Sequence, residues 1–303
     1  MADIKNIAKQ PLLRKTEIIR LQSYLVNPGR FSILVLGERG TGKTHWIEQL
    51  QIENKKDKHL KQIVSIPCGV SKSDLSYWEN ILKATDGKLV LFEEVDKLSK
   101  VSQDILFEWL STKDGKYGFG KKTIECRVAF ISSKHISVLR DNEEFLLHKF
   151  YDRISQFVVE LPAFQRTQRN IVDDLKATWL KMEFTGKVPG DELNAWLIAN
   201  TEKLHGNFRD LDKIVINWNN WRLLKKNENE ILSLVTNEFN LYYHNPVPSI
   251  GLHDTFVFKR EKAYDQILDD FRSNLKDWAK IEYGDLKQAA KGLKVSKRTM
   301  ERW

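Results

Sequence analysis

An apolar run followed at once by a glycine-rich loop is the feature that most constrains the fold of this chain. The run covers residues 31–36, and the loop reads Gly37-Glu-Arg-Gly-Thr-Gly-Lys43-Thr44. Glycines at these positions let the backbone curl so that successive N–H groups point at phosphate oxygens, and the N-terminus of the following helix adds its dipole. The pattern therefore predicts a helix beginning near Lys43 and a site for a nucleoside triphosphate, ATP with Mg²⁺. The predicted nucleotide-binding residues are Gly37, Glu38, Arg39, Gly40, Thr41, Gly42, Lys43, Thr44 and His45.

Five short apolar runs predict the sheet into which this loop is built. They are rich in Val, Ile and Phe, and they are continuous more than alternating, which is typical of parallel strands covered on both faces. Helical patterns separate them, so we expect an α/β layer fold with a five-stranded parallel sheet. The runs cover residues 31–36, 63–66, 89–92, 128–131 and 157–161.

A phosphate loop needs carboxylates on a second strand, and the third run ends in Glu93 and Glu94. Alternation along a strand would place these two acids on opposite faces. Glu93 could then hold the water shell of Mg²⁺, with Thr44 as the other metal-binding residue, while Glu94 orients the attacking water. The sequence therefore predicts an ATPase, with both glutamates among its catalytic residues.

Beyond residue 165 the strand-like runs stop and helical spacing takes over. Apolar residues recur at helical spacing from Ile171 to Trp179 and from Leu211 to Trp221, which predicts a small helical lid. A segment with two prolines and a glycine at 244–251 indicates a linker. We expect a nucleotide-binding α/β domain over residues 1–165, the lid over 166–240, a linker over 241–262 and a C-terminal helical module over 263–303.

Further motifs, taken in order, make the chain similar to AAA+ ATPases, and in particular to the ATPase domain of activators of sigma-54 RNA polymerase. Arg127-Val-Ala-Phe-Ile-Ser-Ser133 resembles the strand that ends in that family's γ-phosphate sensor. Phe150-Tyr-Asp-Arg153-Ile resembles its Tyr-Tyr-Arg-Leu. His205-Gly-Asn-Phe-Arg209-Asp-Leu-Asp resembles its Pro-Gly-Asn-Val-Arg-Glu-Leu-Glu.

The resemblance implies a homo-oligomeric ring, hexameric in the family, with nucleotide at the subunit interfaces. Ser133 would monitor the γ-phosphate, and Arg209 would act as the second sensor from the lid of the same subunit. Arg153 is the candidate for an arginine finger that reaches the neighbouring subunit's nucleotide. For Arg153 the other interpretation is an ordinary surface ion pair.

Two positions and the length of one interval depart from the family pattern. Leu147 lies where the family has another finger arginine, and Pro67 replaces the asparagine that gates the catalytic acid. Only twenty residues separate Cys68 from Leu89, which leaves no place for the loop with which the family contacts sigma-54. The resemblance therefore implies the ATPase machinery without the usual activator output.

The end of the chain resembles the Fis-type helix-turn-helix found in many members of the same family. Residues 285–303 contain six lysines or arginines against two acids. The residues beginning at Ser296, a plausible helix N-cap, would start the recognition helix and face base edges. A basic helical hairpin used only for packing is the other interpretation. The predicted DNA-binding residues are Lys294, Ser296, Lys297, Arg298, Thr299 and Arg302.

The 303 residues carry a net charge of +8, which favours a polyanionic partner. No signal peptide is evident, and no apolar run approaches the ~20 residues that span a bilayer, so we expect a cytoplasmic protein. The leading hypothesis is a DNA-binding AAA+ ATPase that regulates transcription or remodels a nucleoprotein target. Two alternatives stay open: an ATPase subunit of a DNA-mobility or defence system with a nuclease or recombinase partner, and a non-hydrolysing oligomerisation switch.

Overall fold

The chain divides into two compact units, Met1–Asn245 and Pro246–Trp303, which are described separately. A computed structural model describes residues 10–27, 31–54, 60–71, 73–111, 117–119, 122–167, 170–184, 187–224, 227–243, 272, 275–276, 285–292 and 295–301. Among the helices in these ranges, none combines the length and the apolar character that a membrane crossing requires.

A five-stranded, wholly parallel sheet forms the centre of the first unit, as the apolar runs predicted. Its order is β2-β3-β6-β1-β7, so β1 lies between two strands that come much later in the chain. Every predicted run forms a strand, with ends shifted by one or two residues. The strands are β1 (Ile33–Leu36), β2 (Ile63–Pro67), β3 (Leu89–Glu93), β6 (Arg127–Ile131) and β7 (Phe157–Glu160).

Helices cover both faces of the sheet, which explains why its three inner strands are almost wholly buried. In β1, Ile33 and Val35 pack into one hydrophobic cluster while Leu34 and Leu36 pack into the other, because successive side chains point to opposite faces. Helices α1 and α2 cover the first face, and α3 to α6 supply the second cluster. These helices are α1 (Leu12–Val26), α2 (Lys43–Glu53), α3 (Leu75–Lys83), α4 (Lys100–Leu110), α5 (Ile136–Asp141) and α6 (His148–Ile154).

A two-stranded antiparallel hairpin, which the sequence did not predict, lies between α4 and β6. It consists of β4 (Tyr117–Phe119) and β5 (Lys122–Ile124). Each strand has only three residues, and glycine and lysine occupy positions that a buried strand would fill with apolar side chains. The ring of Tyr117 packs 4.9 Å from the ring of Trp109, which attaches the hairpin to α4.

The helical lid predicted from the 3.6-residue spacing is present and has its own core. Trp179, Leu211 and Trp218 are buried there, whereas Trp221 is half-buried at the rim. The indole of Trp221 donates a hydrogen bond to the carboxylate of Glu238 at 3.2 Å. The lid consists of α7 (Ile171–Lys181), α8 (Asp191–Asn200), α9 (Phe208–Leu223) and α10 (Glu228–Glu238), followed by a π-helical turn over Phe239–Tyr243.

In the second unit the described residues form two short helices, α11 (Leu286–Gly292) and α12 (Lys297–Glu301). Ala290 and Met300 are buried, and the hydroxyl of Ser296 accepts a hydrogen bond from the N–H of Thr299 at 3.0 Å. Ser296 thus occupies the predicted N-cap position. The predicted linker lies outside the described residues from residue 244 onward, as does most of the predicted C-terminal module before residue 285. The helix-turn-helix stays a prediction.

A buried arginine joins the first helix of the chain to the lid. The guanidinium of Arg14 donates to both carboxylate oxygens of Asp174 in α7, at 2.6 and 3.1 Å, and to the hydroxyl of Thr167 at 3.3 Å. It also lies 5.7 Å from the ring centre of Phe164 and 4.9 Å from that of Phe208. Arg14 is fully buried, so its charge depends on these partners for stabilisation.

We expect Arg14→Met and Asp174→Leu each to lower the free energy of unfolding by about 3–5 kcal/mol, because each leaves one buried charge unpaired. The double variant leaves no unpaired charge and should lose clearly less than the sum of the two single losses. Urea unfolding followed by circular dichroism measures all three. As a control, Lys83→Met breaks the surface pair with Glu79 and should cost less than about 1 kcal/mol. Additive losses at Arg14 and Asp174 would contradict the assigned pairing.

Candidate nucleotide-binding site

The phosphate loop, residues 37–44, connects β1 to α2 as the sequence predicted. Its three glycines adopt positive φ angles: 142° at Gly37, 76° at Gly40 and 89° at Gly42. Side chains rarely tolerate these angles, and space is also limited. A Cβ atom at Gly37 would lie 2.6 Å from the carbonyl oxygen of Leu161. The loop therefore has the tight curl that phosphate binding requires.

The start of α2 suits an anion. Gly42 is the N-cap residue and provides no side-chain cap, and the first turn of this fully described helix contains no acidic residue. The first N–H groups of a helix lack partners within it, and its dipole favours negative charge at that end. A phosphate group at this position would receive hydrogen bonds that no side chain supplies.

Lys43 points its ammonium group back along the loop. The Nζ atom donates to the carbonyl oxygens of Gly37 at 2.6 Å and Glu38 at 2.8 Å, and to the hydroxyl of Ser133 at 3.2 Å. Ser133, predicted as the γ-phosphate sensor, thus lies beside the phosphate loop. The structure thus brings together two residues that are 90 positions apart, and the sensor role of Ser133 stays a prediction.

The pKa of Lys43 is lowered from 10.5 to about 8, first by burial and then by the charge of Arg209. The carboxylates of Asp96 and Glu38 act in the opposite direction. A cationic phosphate ligand with a pKa near 8 is charged at neutral pH and loses its proton under mildly alkaline conditions. The effect of Arg209 on this pKa places that lid residue within electrostatic reach of the phosphate loop, and its sensor role stays a prediction.

The acidic pair at the end of β3 differs from its predicted geometry. Glu93 is the last residue of the strand and is paired in register with Pro67 of β2. The prediction that strand alternation places Glu94 on the opposite face was wrong, because Glu94 has φ 55° and ψ 51° and leaves the strand. This left-handed conformation is costly for a non-glycine residue and is concentrated at functional sites. The Glu94 carboxylate forms an ion pair with the ammonium of Lys97 at 2.7 Å.

A third carboxylate, which sequence reasoning missed, belongs to the same cluster. Asp96 accepts a hydrogen bond from the hydroxyl of Ser132 at 2.5 Å and acts electrostatically on Lys43. The pKa of the neighbouring Cys68 thiol is raised, first by burial and then by Asp96, Glu93 and Glu94, so all three acids lie near it. The sequence signal was weak, because only the short 3₁₀ turn at Val95–Lys97 turns Asp96 towards the site.

The lid contacts the phosphate loop directly. A Cβ atom at Gly40 would lie 3.3 Å from the Cγ of Arg209 and 1.9 Å from the carbonyl oxygen of Gly206. Arg209 is the second residue of α9 and its side chain is exposed, so the structure brings it to the loop. Asn207, between these two residues, was not singled out from the sequence, and its contacts are described below.

The remaining predicted residues lie at varying distances from this cluster. Thr44 is half-buried in the first turn of α2, where the predicted metal ligand should be. The pKa of His45 is lowered by burial and then by Lys181 of the lid. Arg153 on α6 donates to the hydroxyl of Ser111 at 3.2 Å, and none of its described contacts reaches the phosphate loop. Its finger role stays a prediction.

The predicted DNA-binding residues are separate from the nucleotide site in sequence and belong to the second unit. Ser296, Lys297 and Arg298 are exposed at the start of α12, and Thr299 is half-buried. Lys294 and Arg302 lie outside the described residues. DNA binding therefore stays a prediction.

Comparison with known proteins confirms the class that the motifs indicated. Residues 16–164 match the family model of the sigma-54 interaction domain. The fold is that of AAA+ ATPases, and over its α/β domain the chain resembles the ATPase domain of sigma-54 activators. No curated protein sequence matches the chain.

Solved structures agree on the fold. NtrX from Brucella abortus in complex with ADP aligns with a TM-score of 0.60 at 13% identity, over 99% of this chain and 70% of that one. Its complex with ATP aligns with a TM-score of 0.58 at 14% identity, over 95% and 65%. A point mutant of RuvB from Thermotoga maritima aligns with a TM-score of 0.59 at 14% identity, over 97% and 86%. At these identities the likeness concerns the fold alone.

We expect the affinity for ADP to fall as the pH rises above about 8, because Lys43 then loses its charge while the phosphates stay ionised. The dissociation constant should increase by up to about tenfold per pH unit. Titration calorimetry between pH 7 and 10 at constant ionic strength measures it. Lys43→Arg, whose guanidinium stays protonated, is the control and should give a flat profile. Equal pH dependence in both proteins would show that Lys43 does not carry the effect.

Proposed function

We propose that this protein hydrolyses ATP as a ring-shaped oligomer and binds DNA through residues 285–303, acting as a transcriptional regulator or nucleoprotein remodeller. The observation that carries the ATPase part is the position of Lys43. Its ammonium lies between the phosphate loop and Ser133, within electrostatic reach of Arg209 and of Asp96, which follows β3. Phosphate-binding, sensing and acidic groups from one chain thus meet at one sheet edge.

Each group has a distinct task in this proposal. The loop N–H groups and Lys43 bind the phosphates of ATP, and the hydroxyl of Thr44 together with Glu93 would hold Mg²⁺. That ion, when bound, neutralises charge that develops on the phosphates. Glu94 orients the attacking water and accepts its proton. Ser133 and Arg209 contact the γ-phosphate from β6 and from the lid.

The ring follows from the resemblance to sigma-54 activators. In a ring, Arg153 of one subunit would approach the nucleotide of the next and stabilise the charge of the transition state. Its position on α6, away from the phosphate loop of its own subunit, is compatible with a role in trans. Leu147 caps the start of the same helix without a side-chain hydrogen bond, so the family's other finger position provides no cation here.

In this proposal the ATPase does not act on sigma-54, the target of the activators that it resembles. Between β2 and β3 the described residues form only the turn Cys68–Val70 and helix α3. The family's sigma-54-contacting loop belongs to this interval, which is too short to contain it. We therefore propose that the ATPase acts on DNA. The exposed Lys297 and Arg298 at the start of α12 would contact its phosphates and base edges.

A second candidate function is a nucleotide-dependent oligomerisation switch that does not hydrolyse ATP. The ion pair between Glu94 and Lys97 favours it, since the ammonium occupies the carboxylate that would otherwise orient the attacking water. Pro67 also favours it, because it lies opposite Glu93 where the resemblance expects a gating asparagine. A DNA-mobility or defence ATPase with a separate nuclease or recombinase partner is a third possibility, which a search for co-purifying proteins would test.

Glu94→Gln should lower ATP turnover by about 100-fold or more while leaving the affinity for ATP nearly unchanged, because the amide cannot accept a proton. Phosphate release at saturating ATP and a direct binding titration measure the two quantities. Glu79→Gln, which neutralises a partly exposed acid on α3, is the matched control and should keep full turnover. Wild-type turnover no greater than that of Lys43→Met would favour the switch instead.

Lys297→Gln combined with Arg298→Gln should weaken DNA binding and reduce the slope of log affinity against log salt by up to about two, because each phosphate contact contributes about 0.9. Fluorescence anisotropy with a mixed-sequence duplex across a potassium chloride series measures the slope. The control combines Lys83→Gln with Lys176→Gln, two exposed lysines of the first unit with the same total charge change. Equal slopes of log affinity against log salt in the two double variants would contradict a DNA-binding role for α12.

A further inference from the structure

Asn207 lies in the turn that leads into α9, and it is almost completely buried. Its backbone angles are φ 51° and ψ −126°, a conformation that side chains rarely adopt. Glycine would adopt these angles without strain. The presence of asparagine at such a position therefore suggests that its side chain has a specific role.

The side chain of Asn207 joins three segments of the first unit. Its Nδ2 donates to the carbonyl oxygen of Arg39 in the phosphate loop at 3.0 Å and to that of His205 in its own turn at 3.2 Å. Its Oδ1 accepts from the N–H of Phe164, which follows the last strand of the sheet, at 2.7 Å. One buried amide thus contacts the phosphate loop, the lid turn and the connection between the two domains.

Backbone contacts bring the same two loops together. The N–H of Phe208 donates to the carbonyl oxygen of Gly40 at 3.0 Å. A Cβ atom at Gly40 would lie 1.9 Å from the carbonyl oxygen of Gly206, so no side chain fits between lid and loop. The carboxylate of Asp210 closes the lid turn by accepting from the N–H of Gly206 at 2.7 Å. Residues 39–40, the loop apex, are therefore held directly by the start of α9.

We propose that Asn207 is a positioning residue that transmits the conformation of the loop apex to the lid, in addition to any contact that the nucleotide itself makes with the lid. Phosphates that bind in the loop fix its backbone, and the Nδ2 bond to Arg39 then fixes the start of α9. Coupling of this kind is reciprocal, so a fixed lid also slows release of the nucleotide. The inference rests on the proposed nucleotide binding.

Hydrogen exchange of the full chain, with and without ADP, tests the proposal. In the wild type we expect ADP to slow exchange both in a peptide covering the phosphate loop and in one covering α9. In Asn207→Gly, whose backbone is unstrained but whose side-chain bonds are gone, the loop should still be protected while α9 gains little protection. ADP should also dissociate about tenfold faster.

Two further variants separate positioning from folding. Asn200→Gly is the matched control, because Asn200 bonds only within the lid, to the carbonyl oxygen of Trp196 at 2.8 Å, and its response to ADP should match the wild type. Asn207→Asp keeps the acceptor for Phe164 but loses the donor to Arg39. Because this variant also places a buried carboxylate near that of Glu38, urea unfolding first establishes that its lid is folded. The folded variant should still lose the protection of α9, which gives a second test if Asn207→Gly unfolds the lid.

Full ADP protection of α9 in Asn207→Asp would overturn the proposal. A wild-type loop peptide that ADP does not protect would instead overturn the proposed nucleotide binding. Even then the inference remains testable without nucleotide. Asn207→Asp should speed exchange at the loop apex relative to Asn200→Gly, and equal exchange in the two variants would refute the contact.

Discussion

The carboxyl ends of three adjacent strands meet at one edge of the sheet, and the candidate site depends on that convergence. The order β3-β6-β1 places the acidic residues after β3 and the serines after β6 next to the phosphate loop after β1. The N–H of Ser132 donates to the carbonyl oxygen of Val35 at 3.2 Å, which fixes the end of β6 against β1. The ammonium of Lys43 can therefore reach Ser133 and the loop carbonyls at once. In parallel sheets, sites of this kind belong to the carboxyl edge.

Two buried polar contacts hold the lid over this edge, and both depend on precise geometry. Arg14 binds Asp174 on α7, and Asn207 binds the backbone of Arg39 and Phe164. Apolar packing alone would tolerate sliding of the lid, whereas buried hydrogen bonds are satisfied in few arrangements and so specify one. The ring contacts of Arg14 with Phe164 and Phe208 connect the two, because Phe208 follows Asn207 directly. The position of Arg209 over the phosphate loop depends on these two buried contacts, that of Arg14 and that of Asn207.

The sequence predicted what depends on local patterns. Continuous apolar runs gave all five strands, and the glycine loop gave the start of α2 at Lys43. Contacts between distant segments could not be predicted in this way. Arg14 and Asp174 are 160 positions apart, and no local pattern relates them. The hairpin at Tyr117 was missed because its strands are short and contain glycine and lysine. The predicted orientation of Glu94 was wrong because the strand ends one residue before it. Asp96 was missed because it lies in the 3₁₀ turn that follows.

One ion pair bears directly on the choice between the two proposals, hydrolysis and the switch. Lys97 holds the carboxylate of Glu94 at 2.7 Å, yet both side chains are more than half exposed, at 54% and 60%. An exposed pair of this kind contributes roughly 0–1 kcal/mol, so Glu94 is released from it in a substantial fraction of molecules. Lys97 can lower the rate of hydrolysis by a small factor, whereas loss of a catalytic base lowers it by about 10²–10⁴. The strength of this pair alone would therefore not abolish the proposed turnover.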